Sequence, residues 1–286
     1  MEQAIIFQAG QEELPGILHP GEAQATRGVL IVVGGPQYRV GSHRQFLLLA
    51  RHLADAGIPV FRFDYRGMGD ASGELRDFER INEDVRAAID TFQSQLPEIR
   101  EIVIWGLCDA ASAALIYAPR DPRVKGLVLV NPWVRTEESL ARAYLKTYYL
   151  RRLISRDFWA GLLRGRFNPL VSLRSLLGML CRICSGHKPA TDSDSADKPG
   201  SEPLPQRMAE GWQGYRGPIL LILSGDDLTA AEFRDTAASH PAWQGLLAQT
   251  RVTRHELPGA NHTFARREWR DQVAQWTLLW LREMAQ

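Results

Sequence analysis

The stretch "IVIWGLCDAAS", Ile102–Ser112, runs from β-formers straight into a small-residue, helix-forming tract. It predicts a strand, a tight turn and a helix, with the polar side chain of Cys108 at the apex of the turn. An apex side chain held clear of the backbone needs small neighbours on both sides, and Gly106 and Ala110 meet that need. The apex also lies at a helix N-terminus, where partial positive charge favours a thiolate over a thiol.

Similar segments lie on either side. "AIIFQ" and "LPGILHP" predict an N-terminal hairpin, and "GVLIVVGG" (Gly28–Gly35) is a continuous apolar run of the kind buried on both faces of a sheet. "PVFRFDYRG", "VKGLVLVNP", "GPILLILSGDD" and "RVTRHELPGANH" predict further strands. Between them Phe46, Leu49, Ala50 and Leu53 recur at helical spacing, as do Phe78, Ile81, Val85, Ala88, Ile89 and Phe92. A last helix carries Trp269, Val273, Trp276 and Trp280. Alternation of this kind predicts an α/β fold with a mostly parallel central sheet and helices on both faces.

The 286 residues are 45% hydrophobic and 23% charged, with a net charge of +1 and three cysteines. That balance suits a globular protein with a sizeable core and gives no pointer to nucleic acid. Three cysteines do not make a disulfide framework, and the start "MEQAIIFQAG" lacks a basic, then apolar, leader, so the expected setting is cytoplasmic. The charge is uneven: Trp133 to Ala190 holds eleven Lys and Arg against three Asp and Glu. We therefore expect a core over residues 1–132 and 217–286, a basic helical cap inserted at 133–184, and a flexible Ser-, Pro- and Asp-rich linker at 185–216. A cationic face beside Leu, Tyr and Trp suits an anionic surface, so peripheral contact with the inner membrane or with acidic glycan intermediates is a further expectation.

Three polar groups follow the ends of predicted strands: Cys108, the pair Asp226/Asp227, and His262. In a parallel sheet such ends share one edge, and the order nucleophile, acid, histidine is that of α/β-hydrolases. The chain resembles that superfamily over nearly its whole length, through "GGPQ", "DYRGMGDASG", "GLCDA" and "SGDD…GANH". It departs from the usual pattern in having Cys108 where serine is common and Ala110 in place of the second glycine. More narrowly, "GLCDAAS", "SGDDLTAAEF" and "NPWVRTEESLARAYLKTYYLRR" resemble the hydrolases associated with the exosortase A system, which accompany bacterial exopolysaccharide export and protein sorting.

The resemblance implies a hydrolase fold with an inserted cap and a thiolate that attacks an ester, thioester or lactone. Cys108 is then the nucleophile, His262 the general base and Asp227 the acid, with Asp226 as the alternative. Asp227 is preferred on the expectation that Leu228 turns into the core while Asp226 faces out. The oxyanion needs backbone donors, which are expected to be the N–H of Asp109 and one from "GGPQ". Pro36 has no N–H, leaving Gly35 or Gln37, with Gln37 preferred by offset.

Two rival motifs carry less. "GMGDASG" contains a Gly-x-Gly after a strand, but the next helix starts too far on for its N-terminus to meet a pyrophosphate, so no cofactor is expected. "CRICSGH", with Cys181, Cys184 and His187, offers only three ligands, and its cysteines continue an apolar stripe from Leu173, so it reads as packing rather than as a metal site.

Overall fold

The computed structural model describes residues 1–35, 37–134 and 202–284. The chain divides into two units, Met1–Arg135 with Leu204–Gln286, and Thr136–Pro203. The expected basic cap beyond Val134, most of the expected linker, and Cys181, Cys184 and His187 lie outside the described residues.

Eight strands form one sheet: β1 (Gln3–Ala9), β2 (Glu12–His19), β3 (Arg27–Val32), β4 (Val60–Phe63), β5 (Glu101–Leu107), β6 (Val124–Val130), β7 (Ile219–Ser224) and β8 (Val252–Leu257). Their spatial order is β1-β2-β4-β3-β5-β6-β7-β8. The hairpin β1–β2 is antiparallel and adds to β4 antiparallel, while β4, β3 and β5 to β8 run parallel. The central strands are apolar because both faces are covered: β4 and β7 are buried throughout, as are β3, β5 and β6 apart from Arg27, Glu101 and Lys125.

Six α-helices among the described residues complete the unit: α1 (Gln45–Asp55), α2 (Asn82–Gln95), α3 (Asp109–Tyr117), α4 (Leu204–Gly214), α5 (Leu228–Ser239) and α6 (Arg267–Glu283). From β3 the chain steps to β4 on one side, then returns past β3 to β5 and onward. Right-handed crossovers in opposite directions need opposite faces, so α1 lies on one face and α2 and α3 on the other. The carboxyl ends of β3 and β5 flank the reversal point, the crevice where open parallel sheets place their sites.

Two expectations are corrected. The linker was expected to reach residue 216, but Leu204–Gly214 is a helix whose Leu204, Met208, Ala209 and Trp212 are buried. Trp212 packs edge-on against Trp243 at 5.5 Å between ring centroids, and the Trp243 indole N–H donates to the Pro205 carbonyl. The Ser- and Pro-rich composition before it hides this amphipathic stripe, so the second part of the core begins at Leu204. In addition, Phe78 lies in a separate short turn, Phe78–Arg80, and α2 begins at Asn82.

Candidate active site

Cys108 adopts φ 64° and ψ −126° between β5 and α3, a conformation that costs a side-chain-bearing residue energy and must be imposed by its surroundings. Those surroundings are specific. Its N–H donates to the Val130 carbonyl at 2.9 Å, and its carbonyl accepts from Ala111 and Trp133. Two glycines allow the close approaches. A β-carbon at Gly106 would come within 2.6 Å of the Ala110 carbonyl oxygen, and one at Gly34 within 2.2 Å of the Leu107 carbonyl oxygen. The loop after β3 therefore lies directly against the elbow, and Cys108 is buried there.

Asp227 and His262 meet at the ends of β7 and β8. The Asp227 carboxylate caps α5, accepting from the N–H of Thr229 at 3.2 Å and of Ala230 at 3.1 Å. The same carboxylate takes His262 Nδ1 at 2.9 Å. Burial pushes its carboxyl up, but the His262 contact and the two helix N–H groups outweigh this and hold it below the usual carboxylate range. A carboxylate accepts, so Nδ1 bears the proton and Nε2 is left as the basic nitrogen. Asp226 is exposed and enters through its backbone, donating N–H to Ala260. Leu228 is 55% exposed, contrary to the expected reason for preferring Asp227. The geometry favours Asp227 because it alone of the pair occupies the helix cap.

The oxyanion side also differs from expectation. Gln37 N–H donates to the Gly35 carbonyl at 2.8 Å, so the preferred donor is turned away, and Gly35 N–H is the one that faces the elbow. It points at Asp109 Oδ1 at 2.6 Å. Further out, buried Asp64 at the end of β4 accepts from the Arg39 backbone and guanidinium and from Asp70 N–H, so "DYRGMGDASG" braces the loop after β3. Gln37 and Tyr38 face Met68, Gly69 and Asp70 across an open cleft of about 410 Å³.

Sequence reasoning missed the group that positions the histidine. Asn131, fully buried at φ 45°, donates from Nδ2 to Ser224 Oγ at 2.8 Å and to the His262 carbonyl at 3.1 Å, and accepts Ser224 N–H at 2.8 Å. Ser224 Oγ in turn donates to the Asn261 carbonyl. The available signal was a lone amide ending the apolar run of β6 before Pro132, since asparagine tolerates left-handed backbone better than most residues. Asn131→Ala strands these buried partners and is expected to cost roughly 2 kcal/mol in urea unfolding, with kcat lowered through a displaced His262.

A parallel sheet with an elbow after β5, an Asp–His pair after β7 and β8, and a glycine loop against the elbow defines an α/β-hydrolase. The serine aminopeptidase, S33 family matches residues 24–167, half of the chain, and the chain belongs to that family of hydrolases. Serine gives the family its name, and here the elbow carries Cys108. Solved structures share the fold. A Pyrococcus furiosus esterase is 14% identical with a TM-score of 0.61, over 96% of this chain and 91% of its own. Dienelactone hydrolase from Anabaena variabilis is 17% identical with a TM-score of 0.62, over 99% and 97%. Est1E from Butyrivibrio proteoclasticus, seen with ferulic acid bound, is 14% identical with a TM-score of 0.62, over 99% and 100%. No curated protein matches the chain.

Proposed function

We propose that the protein hydrolyses esters and thioesters through a Cys108–His262–Asp227 triad. The observation that carries this is the Asp227–His262 hydrogen bond, made by a carboxylate fixed at a helix cap on the sheet edge where the elbow presents Cys108. His262 Nε2 takes the thiol proton, and the thiolate adds to the acyl carbon. The negative charge on the acyl oxygen is met by the N–H groups of Asp109 and Gly35. Collapse expels the alcohol or thiol, which leaves with the proton from His262, and an acyl-Cys108 remains. Water, deprotonated by His262, then adds to the acyl carbon, and the carboxylic acid and thiol are released.

Ester and lactone chemistry are named for the structural neighbours, and a thiolate suits such activated acyl groups. An amide needs stronger protonation of its leaving group, so aminopeptidase activity ranks lower despite the family name. The resemblance to the exosortase A-associated hydrolases is the ground for proposing an acyl group from exopolysaccharide or sorting chemistry. A glycan hydroxyl in place of water would make the second half-reaction an acyl transfer. The basic segment 133–184 is proposed to hold the protein against anionic lipid or acidic glycan. Co-sedimentation with phosphatidylglycerol vesicles, but not phosphatidylcholine ones, at low salt is the expected result.

Mass spectrometry after a short incubation with p-nitrophenyl acetate tests the triad: one acetyl group is expected on the Cys108 peptide, and its absence during turnover excludes the covalent route. Asp227→Ala is expected to lower kcat by roughly 10²–10⁴-fold, whereas Asp226→Ala stays within about twofold. One observation favours a second reading, an idle scaffold that binds a partner: the Gly35 N–H is already taken by a carboxylate.

A further inference from the structure

Of the two N–H groups assigned above to the oxyanion, that of Gly35 is already held by an anion of the protein itself, the carboxylate of Asp109. Asp109 Oδ1 accepts the Gly35 N–H at 2.6 Å, and the backbone N–H groups of Ala110 and Asp109 itself also favour the charged carboxylate. A substrate oxyanion forming on Cys108 needs the same donor. Two anions cannot share it in a water-poor pocket, because their repulsion is strongest where the dielectric is low.

We infer that Asp109 gates the oxyanion site: its carboxylate stands in for the substrate's oxyanion in the resting enzyme, and turnover requires it to let go of Gly35. The inference rests on the Cys108 acyl-transfer reading and deepens it. Protonation is one route of release, since a neutral carboxyl is a poorer acceptor than a carboxylate. Burial pushes the Asp109 carboxyl above the usual carboxylate range and Asp77 pushes it further, against the pull of the three N–H groups. The charged and titratable groups on the surrounding elements are Tyr65 after β4, Asp77, Glu79 and Arg80 around the turn against α3, Arg207 of α4 paired with Glu79, and Cys108 itself. The gate is therefore open at the acid end and closed as pH rises through the raised carboxyl pKa.

The test compares full-length wild type, Asp109→Ala and Asp109→Asn on p-nitrophenyl acetate from about pH 5.5 to about pH 8.5. An oxyanion donor is worth roughly 10²–10³-fold in kcat. At about pH 8, Asp109→Ala is expected to raise kcat at least about tenfold with KM little changed. The variant-to-wild-type ratio cancels pH effects common to both proteins, and should fall toward one wherever the Asp109 carboxyl becomes protonated. Asp109→Asn, nearly isosteric, covers the case in which the alanine variant fails to fold, and should show a smaller rise of the same form. A ratio at or below one overturns the gate and makes Asp109 a brace for the Gly35 loop. So does a lack of turnover in every form while Cys108 still labels rapidly.

Iodoacetamide labelling of Cys108 passes through no oxyanion and separates the two claims. Rapid labelling that depends on His262, with no Asp109 effect on turnover, removes only the gate. Slow labelling indifferent to His262 removes the nucleophile reading and the gate with it.

Discussion

Cys108→Ala is expected to lower kcat for p-nitrophenyl acetate by about 10⁴–10⁶-fold, the loss seen when a nucleophile is removed from a triad. The size follows from the mechanism. Without the thiol there is no acyl-enzyme, and only substrate binding and the backbone donors remain to help water. The fold should survive, because alanine meets the same positive φ as cysteine and loses only one buried sulfur, so Tm is expected to move by a few degrees at most. Cys108→Ser is the more informative partner. Serine keeps the elbow but exchanges a thiol that His262 can ionise for a hydroxyl that must lose its proton during attack. Oxygen esters should still turn over, and thioester turnover should fall more steeply. Equal losses on both would remove thioester tuning as the reason for cysteine at this apex.

The second large effect concerns stability. His19, buried at the end of β2, accepts Arg62 Nε at 3.0 Å on its own Nε2, which requires a neutral ring. Burial and then the Arg62 charge lower its pKa to about 4, with Glu2, 3.9 Å from Nδ1, opposing them weakly. Unfolded, the same histidine titrates near 6.5. Between these values the unfolded chain binds the extra proton, so stability falls as pH falls through that window and is fully restored above it. A shift of this size corresponds to roughly 3 kcal/mol. His19→Gln keeps an acceptor for Arg62 and cannot be charged. Urea unfolding at about pH 7 and about pH 4.5 should show that the variant loses less stability than wild type, by on the order of 2–3 kcal/mol. Equal losses in both proteins would show that His19 is not the titrating group.

How far the fold was legible follows from burial. Strands such as "GVLIVVGG" and "GPILLILSGDD" are apolar on both faces, and nothing but a sheet covered on both sides accommodates them, so fold class and strand order along the chain are readable. Helix α4 was not, because its Leu204, Met208 and Trp212 follow a Ser- and Pro-rich run whose composition dominates a local window. Asp227 was favoured for a reason the structure reverses, since Leu228 is exposed and the helix cap is what selects the residue. Asn131, the loop geometry that turns Gln37 away, and the contact of Asp109 with Gly35 depend on residues 74 or more apart meeting across strands, or on one backbone torsion. No periodicity records such contacts.

Whether His262 ionises Cys108 is tested most directly by the rate of iodoacetamide alkylation of Cys108 against pH, in wild type and in His262→Ala. An activated thiolate predicts rapid labelling already at about pH 6 that collapses in the variant. Labelling that rises only with an ordinary thiol pKa of about 8.5, and equally in both proteins, would contradict it.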